Sequence, residues 1–171
     1  MLSKFRAFCR KKDVEISLRR YGIDALGAMA QGLFCSLLIG TILDTLGSQL
    51  GIPTLEEIGS FASAMSGAAM AIAIGYALKA PPLVLFSLAA VGYASNQAGG
   101  AGGPLSVLII AILSAEVGKL VSKETKVDLL VTPLVTILLG CALSMWWAPA
   151  IGQAAKSVGT LINMATELQP F

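Results

Sequence analysis

Apolar residues run in long blocks along this chain, each block closed by glycine, proline or a cluster of charge. The first extends from about Ile23 to Leu46 and ends at Gly47, before a polar turn, Ser48 to Glu57, that carries Pro53, Glu56 and Glu57. The second runs from Ile58 to Leu78 and closes on Lys79. Pro81 and Pro82 break the chain there, because proline lacks an N–H and clashes with the preceding turn. A short run, Leu83 to Ser95, leads into Asn96-Gln97-Ala98-Gly99-Gly100-Ala101-Gly102-Gly103-Pro104. Leu105 to Leu120 follows, then a charged turn with Lys119, Lys123, Glu124, Lys126 and Asp128. The last clear block, Leu129 to Trp147, ends at Trp146 and Trp147 just before Pro149, and Trp at a span end is the expected headgroup anchor.

About 20 apolar residues cross a bilayer. The pattern therefore predicts an all-α, polytopic transmembrane helix bundle of about five membrane segments, one of them a Gly-rich broken or re-entrant segment. Three regions follow: a basic arm over 1–20, a transmembrane domain over 21–150, and a C-terminal part over 151–171. That last part reads as an interfacial helix, or the start of a second half, beginning after a break at Pro149. The final Gln169-Pro170-Phe171 carries no helix-stop signature, as though the chain ended in mid-architecture.

Composition agrees with a lipid environment. Only 13% of residues are charged, against about a quarter in soluble domains. Seven of the twelve Lys and Arg residues (Lys4, Arg6, Arg10, Lys11, Lys12, Arg19, Arg20) precede Tyr21. With the N-terminus in the cytoplasm, Lys79 and the Lys119 to Lys126 turn fall on the same side, and the opposite turn at Glu56 and Glu57 has no Lys or Arg. The short loops thus obey the positive-inside rule, and the chain is expected in a bacterial cytoplasmic membrane. Twenty residues hold no folded basic module, so nucleic acid is excluded as a partner. There is no His, which removes the commonest metal ligand and the usual general base. Cys9, Cys35 and Cys141 lie singly, without metal-type spacing. No catalytic residue, metal or cofactor is assigned.

Small residues recur every four positions: Gly59, Ser63, Gly67, Ala71 and Gly75; Gly32, Ser36 and Gly40; Thr132, Thr136, Gly140, Ser144 and Ala148. Such ridges let backbones approach closely in lipid. They serve packing within the chain or between copies, and a homo-oligomer is expected.

The candidate site is the segment at Asn96, Gln97, Gly99, Gly100, Gly102 and Gly103. Discontinuous, Gly-interrupted segments mark the binding sites of transporters, and Asn and Gln amides suit hydroxyl groups. Leu83 to Ser95 spans only about 20 Å as a helix, so the segment is either a short crossing or a hairpin turning inside the membrane. The competing reading is an ordinary external loop. No Gly-Lys-Ser/Thr follows, so it is no nucleotide P-loop. Glu116, inside a span, pairs with Lys119 at i,i+3 or faces a polar pathway. Gln31 bonds across helices or to a ligand. Asp24 is placed to pair with Arg20, and Asp44 to reach water at the outer end.

Three stretches carry a resemblance. Val14-Glu15-Ile16-Ser17-Leu18-Arg19-Arg20-Tyr21-Gly22-Ile23-Asp24-Ala25-Leu26-Gly27-Ala28-Met29-Ala30, continuing through Gly32-Leu33-Phe34 and Leu37 to Leu43, is the first. The second is Gly99 to Leu105, and the third is the closing Met164 to Phe171. They resemble a bacterial membrane family known as phosphotransferase-system subunit IIC, which includes PfoR-type regulators of toxin expression. The likeness covers nearly the whole chain, and members are longer, so an N-terminal half is expected: a fragment, or a short member that dimerises. The resemblance implies a carbohydrate permease that hands sugar to phosphorylated cytoplasmic IIA and IIB proteins. It equally accommodates a PfoR-like membrane regulator without transport, and a helix-packing subunit of a larger complex remains the plainest alternative. Better-known sugar-transporting subunits use a His and a Glu beside the sugar. The missing His means that no catalytic residue is carried over.

Overall fold

In a computed structural model, which describes residues 1–14 and 16–168, every regular element among the described residues is helical. Glu15 and the closing Gln169 to Phe171, both part of the resemblance, lie outside the described residues. Helix α1 covers Leu2–Lys11. Helix α2 covers Arg20–Leu50, with single π turns at Arg20–Asp24 and Phe34–Leu38. Then come α3, Pro53–Ala64, α4, Ser66–Ala77, α5, Pro82–Gly99, α6, Gly103–Val121, and α7, Asp128–Leu168.

Local chemistry sets most of these boundaries. Pro53 and Pro82 begin helices, where a missing N–H costs nothing. Gly51 ends α2 at φ 66°, and Ile52 N–H closes onto the Gly47 carbonyl at 2.8 Å. This is the left-handed cap that glycine adopts without Cβ strain.

Close approach sets the register. An added Cβ at Gly32 of α2 would lie 2.6 Å from the carbonyl oxygen of Ala69 on α4. Gly40 and Gly59 bring α2 against α3, each facing the other's backbone. Gly67 of α4 meets the backbone of Gly92 on α5. Gly118 of α6 faces Val84 and Thr136, Gly140 of α7 faces Val91 and Ser114, and Gly152 faces Gly99. These pairings make α5 and α6 an antiparallel hairpin, with α7 running parallel to α5. Directions therefore alternate over five apolar passages: α2, α3 with α4, α5, α6 and α7. The core between them holds Met70, Ile74, Leu88, Val91, Val107 and Ile110, all fully buried.

The outer surface is apolar. Phe34, Phe61, Phe86, Leu138 and Trp146 are among its exposed side chains, and surface of that extent and character belongs against lipid.

Four boundaries differ from the sequence expectation. The second block is not one helix but α3 and α4, bent by 47° at Met65. The bend lets Gly59 and Gly67, on one ridge in sequence, face different partners. Asn96 to Gly99 are helical, so α5 has 18 residues and spans about 27 Å; the break shrinks to Gly100–Gly102. The first span lengthens to 31 residues. Pro149 does not end its helix, since α7 continues for 41 residues. Proline there removes the donor for the carbonyl of Met145, yet the helix is held on both sides by packing of Ala148 and Gly152 on the hairpin tip.

Gly32→Ala should destabilise the bundle by about 1–3 kcal/mol, since backbone atoms block the new methyl. Gly27, with nothing within 4 Å of an added Cβ, should accept Ala neutrally or gain up to about 1 kcal/mol. Thermal unfolding of the two variants in detergent checks the contrast.

Candidate functional site

Two polar regions stand out at opposite ends of the bundle. At the hairpin tip, Asn96 Nδ2 donates to Ser66 Oγ at 3.3 Å, and the hydroxyls of Ser95 and Ser144 share a hydrogen bond of 2.8 Å. Ser106 Oγ lies 3.4 Å from the Ala148 carbonyl. Polar side chains from α4, α5, α6 and α7 thus meet at one level of the bundle. Ser95, Ser106 and Ser144 also bond the carbonyl four residues back, which satisfies a hydroxyl within its own helix.

The glycines at this tip have separate reasons. Gly99 packs on Ser106, Gly102 on Gly152 and Ala155, and Gly103 on Asn96. Gly100 alone needs its freedom of backbone, at φ 51°, to reverse the chain. The structure therefore brings Asn96, Gly99, Gly102 and Gly103 together. Gln97 is exposed on the other side of α5, and Gln31 is exposed on α2. Glu116 lies near the far end of α6, about 20 Å along the helix from Gly103.

At the basic end, Glu116 is buried, and one of its oxygens lies 3.2 Å from Lys119 Nζ. This is a charge contact and not an aligned hydrogen bond; neither carboxylate oxygen has a hydrogen-bond partner among the described residues. The i,i+3 pairing read from sequence is therefore present. Lys119, only 1% exposed, donates to the carbonyls of Asp13 at 2.6 Å and Leu78 at 3.0 Å. Arg20 bonds Asp13 at 2.9 Å and the Leu78 carbonyl at 2.8 Å. Arg20 is thus held by Asp13 and not by Asp24, which is exposed. Lys12 reaches the Ser122 carbonyl and pairs with Glu124 at 2.6 Å. The arm is docked onto the turns after α4 and α6, so the basic segments share one end of the bundle.

That end holds a cavity of about 350 Å³. Lys11, Lys79 and Lys123 reach it from three different segments. Its lining includes all three non-glycine residues with positive φ among the described residues: Asp13 at 58°, Lys79 at 56° and Lys123 at 62°. Asp13 and Lys79 occupy the cap position that Gly51 fills on α2, with closing bonds Val14 to Cys9 and Ala80 to Gly75, each 2.9 Å. Lys123 is the third residue of a type II turn closed by Glu124 N–H to Val121 at 3.2 Å. Each position favours glycine, and a side chain there costs about 1–2 kcal/mol. The sequence showed the lysines only as orientation signals, since a left-handed backbone leaves no mark when glycine is absent.

Five alternating apolar passages, a docked basic end and a polar level within the bundle define a polytopic α-helical membrane protein. A family model described as phosphotransferase system, EIIC, matches residues 23–171 of the 171, and the chain belongs to that family. It is accordingly a membrane component of a phosphotransferase system. No curated protein and no solved structure matches the chain.

Removing Lys119 alone strands a buried carboxylate. Lys119→Met should therefore cost about 3–5 kcal/mol, and Lys119→Met with Glu116→Gln should recover part of it; melting temperatures in detergent test the pair. The hydrogen bond from Arg20 holds the Asp13 carboxyl below its ordinary 3.8, against the opposing effect of burial. The undocked arm therefore binds more protons, and the Asp13 contribution to docking is complete above pH about 4. It is lost as pH falls through the lowered value. A nitroxide on Cys9, with Cys35 and Cys141 replaced by Ala, should stay immobile at pH 5 and gain mobility only below about pH 4.

Proposed function

We propose that this EIIC-family chain is the permease component of a phosphotransferase-type sugar uptake system, with its solute route at the polar level beside the hairpin tip. The observation that supports this reading most is that Asn96 with Ser66, and Ser95 with Ser144, bond across helices at this level, whereas buried Ser36, Ser87 and Thr136 bond only carbonyls of their own helices. Polar side chains at membrane depth are costly unless they bond one another or line a pathway. Amide and hydroxyl groups are the partners that sugar hydroxyls require, and the glycines let the backbone come close to a ligand. In this reading Asn96 is the principal contact. Gly99, Gly100, Gly102 and Gly103 shape the turn, and Gln97, Gln31 and Glu116 act from outside the contact set. Phosphoryl transfer belongs to cytoplasmic IIA and IIB partners, which meet the basic end.

The docked arm supports a second reading, a membrane regulator of the PfoR type, in which a cytoplasmic partner senses whether Lys12 and Asp13 remain bound to the turns. A homo-oligomer would have to use surfaces other than the glycine ridges. Gly32, Gly40, Gly59, Gly67 and Gly140 already face partners within the chain. Exposed Ile42, Leu46, Ile58 and Phe61 on the α2–α3 pair are the surface we assign to it.

Binding of radiolabelled hexoses and hexitols to the purified protein should saturate for at least one sugar. Asn96→Ala combined with Gln97→Ala should weaken that binding about tenfold or more, with most of the loss already present in Asn96→Ala. Unchanged binding removes the route from the hairpin tip. A cysteine at Lys123 in intact cells should resist a membrane-impermeant maleimide and react after the membrane is opened. Labelling from outside would reverse the orientation.

A further inference from the structure

The cavity at the basic end is an open cleft, and the lysines that reach it from three segments, Lys11, Lys79 and Lys123, are exposed. Its volume, about 350 Å³, falls within the roughly 300–1,000 Å³ of small-ligand sites. Three chain segments wall it: the end of α1, the turn between α4 and α5, and the turn after α6.

Positive-inside bias explains why lysines are at this end, but not why this cavity retains a surplus. Five lysines line it against two carboxylates, Asp13 and Glu124. Of the five, Lys12 pairs with Glu124 and Lys119 with Glu116, while Lys11, Lys79 and Lys123 have no carboxylate partner among the described residues. The C-termini of α1, α4 and α6 and the N-termini of α5 and α7 all lie at this end, so their opposite half-charges largely offset one another. Asp128, whose carboxylate accepts the Lys123 backbone N–H at 2.7 Å, reduces the surplus of three positive charges to about two. Glu116 and Arg20, just behind the lining, cancel each other. An anion carrying one to two charges matches what remains, and a phosphate group carries about that at neutral pH.

Local backbone points the same way. Lys79 and Lys123 stand where a helix cap and a type II turn favour glycine, and both extend into the one cavity. A turn that accepts strain to keep a charged side chain suggests a role for that charge beyond the turn. Every cation of the lining is lysine, a compact donor whose three N–H groups approach a tetrahedral anion from any direction.

We infer that the cleft between the α1 end, the α4–α5 turn and the α6–α7 turn is a phosphate-group binding site held by Lys11, Lys79 and Lys123. The group comes either from a lipid headgroup or from a soluble phosphate, since the cavity lies at the boundary where both occur. This site is separate from the hairpin tip and independent of what crosses the bundle there.

The test uses the full chain in two settings. In phospholipid-free detergent it is titrated with inorganic phosphate, followed by calorimetry. In nanodiscs its melting is compared between phosphatidylcholine alone and phosphatidylcholine with phosphatidylglycerol. Saturable phosphate binding identifies a soluble source, and stabilisation by phosphatidylglycerol alone identifies a lipid source; either supports the site. Lys79→Gly with Lys123→Gly should abolish the response or weaken it roughly tenfold or more, while the ligand-free melting temperature holds or rises because the turn strain is relieved. Lys79→Asn with Lys123→Asn should lose the same response, since Asn also tolerates the left-handed region. Lys156→Gln, beyond the hairpin tip, should leave it intact. Undiminished binding in both double variants, or no saturable response in either setting, overturns the inference.

Discussion

Two helices in lipid gain little from hiding apolar side chains, because the solvent is itself apolar. What holds this bundle is backbone brought close to backbone, and that is possible only where neither chain carries a side chain in the gap. Gly67 against Gly92, Gly40 against Gly59 and Gly99 against Gly152 are such places. Each fixes the height of one helix relative to another, and together they decide which polar groups meet. Asn96 reaches Ser66 because Gly67 and Gly92 are in contact one residue from Ser66 and one turn from Asn96. Ser95 reaches Ser144 because Gly140 lets α7 lie against Val91.

The basic end follows a different rule. Its groups stand at the edge of lipid, and Lys119 is covered almost completely. A buried ammonium persists there because two carbonyls, Asp13 and Leu78, accept from it and Glu116 supplies the counter-charge. The same Leu78 carbonyl accepts from Arg20. One helix end, left with unpaired acceptors as every helix C-terminus is, thus anchors two cations and, through Asp13, the N-terminal arm. Orientation signal and structural clasp are made of the same residues.

Part of the candidate site was legible along the chain. The glycine string marked a chain reversal, and Asn96 lies where four helices bring polar groups together. The spacing of Glu116 and Lys119 announced their pairing. Gln31 shows the limit: a polar residue in an apolar span advertises a contact, but its direction depends on the helix's rotation against α4, which Gly32 sets. Asn96 to Gly99 looked like loop because glycine and amides are frequent in turns, yet packing against Ser106 and Gly152 keeps them helical. Pro149 looked like a helix end because proline lowers local helix propensity, and a tertiary contact on each side outweighed it. The cavity at the basic end was invisible for a plainer reason. It is assembled from Lys11, Lys79 and Lys123, which are far apart in the chain.

The sequence by itself determined the solvent, the all-helical class, the common side of the basic segments and the places where helices can touch. Those properties follow from side-chain transfer energies and from where glycine and proline fall, and they need no knowledge of neighbours. Tertiary structure decided which ridge meets which helix, where the second block bends, how far α5 and α7 continue, and which lysines share a cavity. Such choices are made by contacts between distant residues. A contact has an energy only once both surfaces are in place.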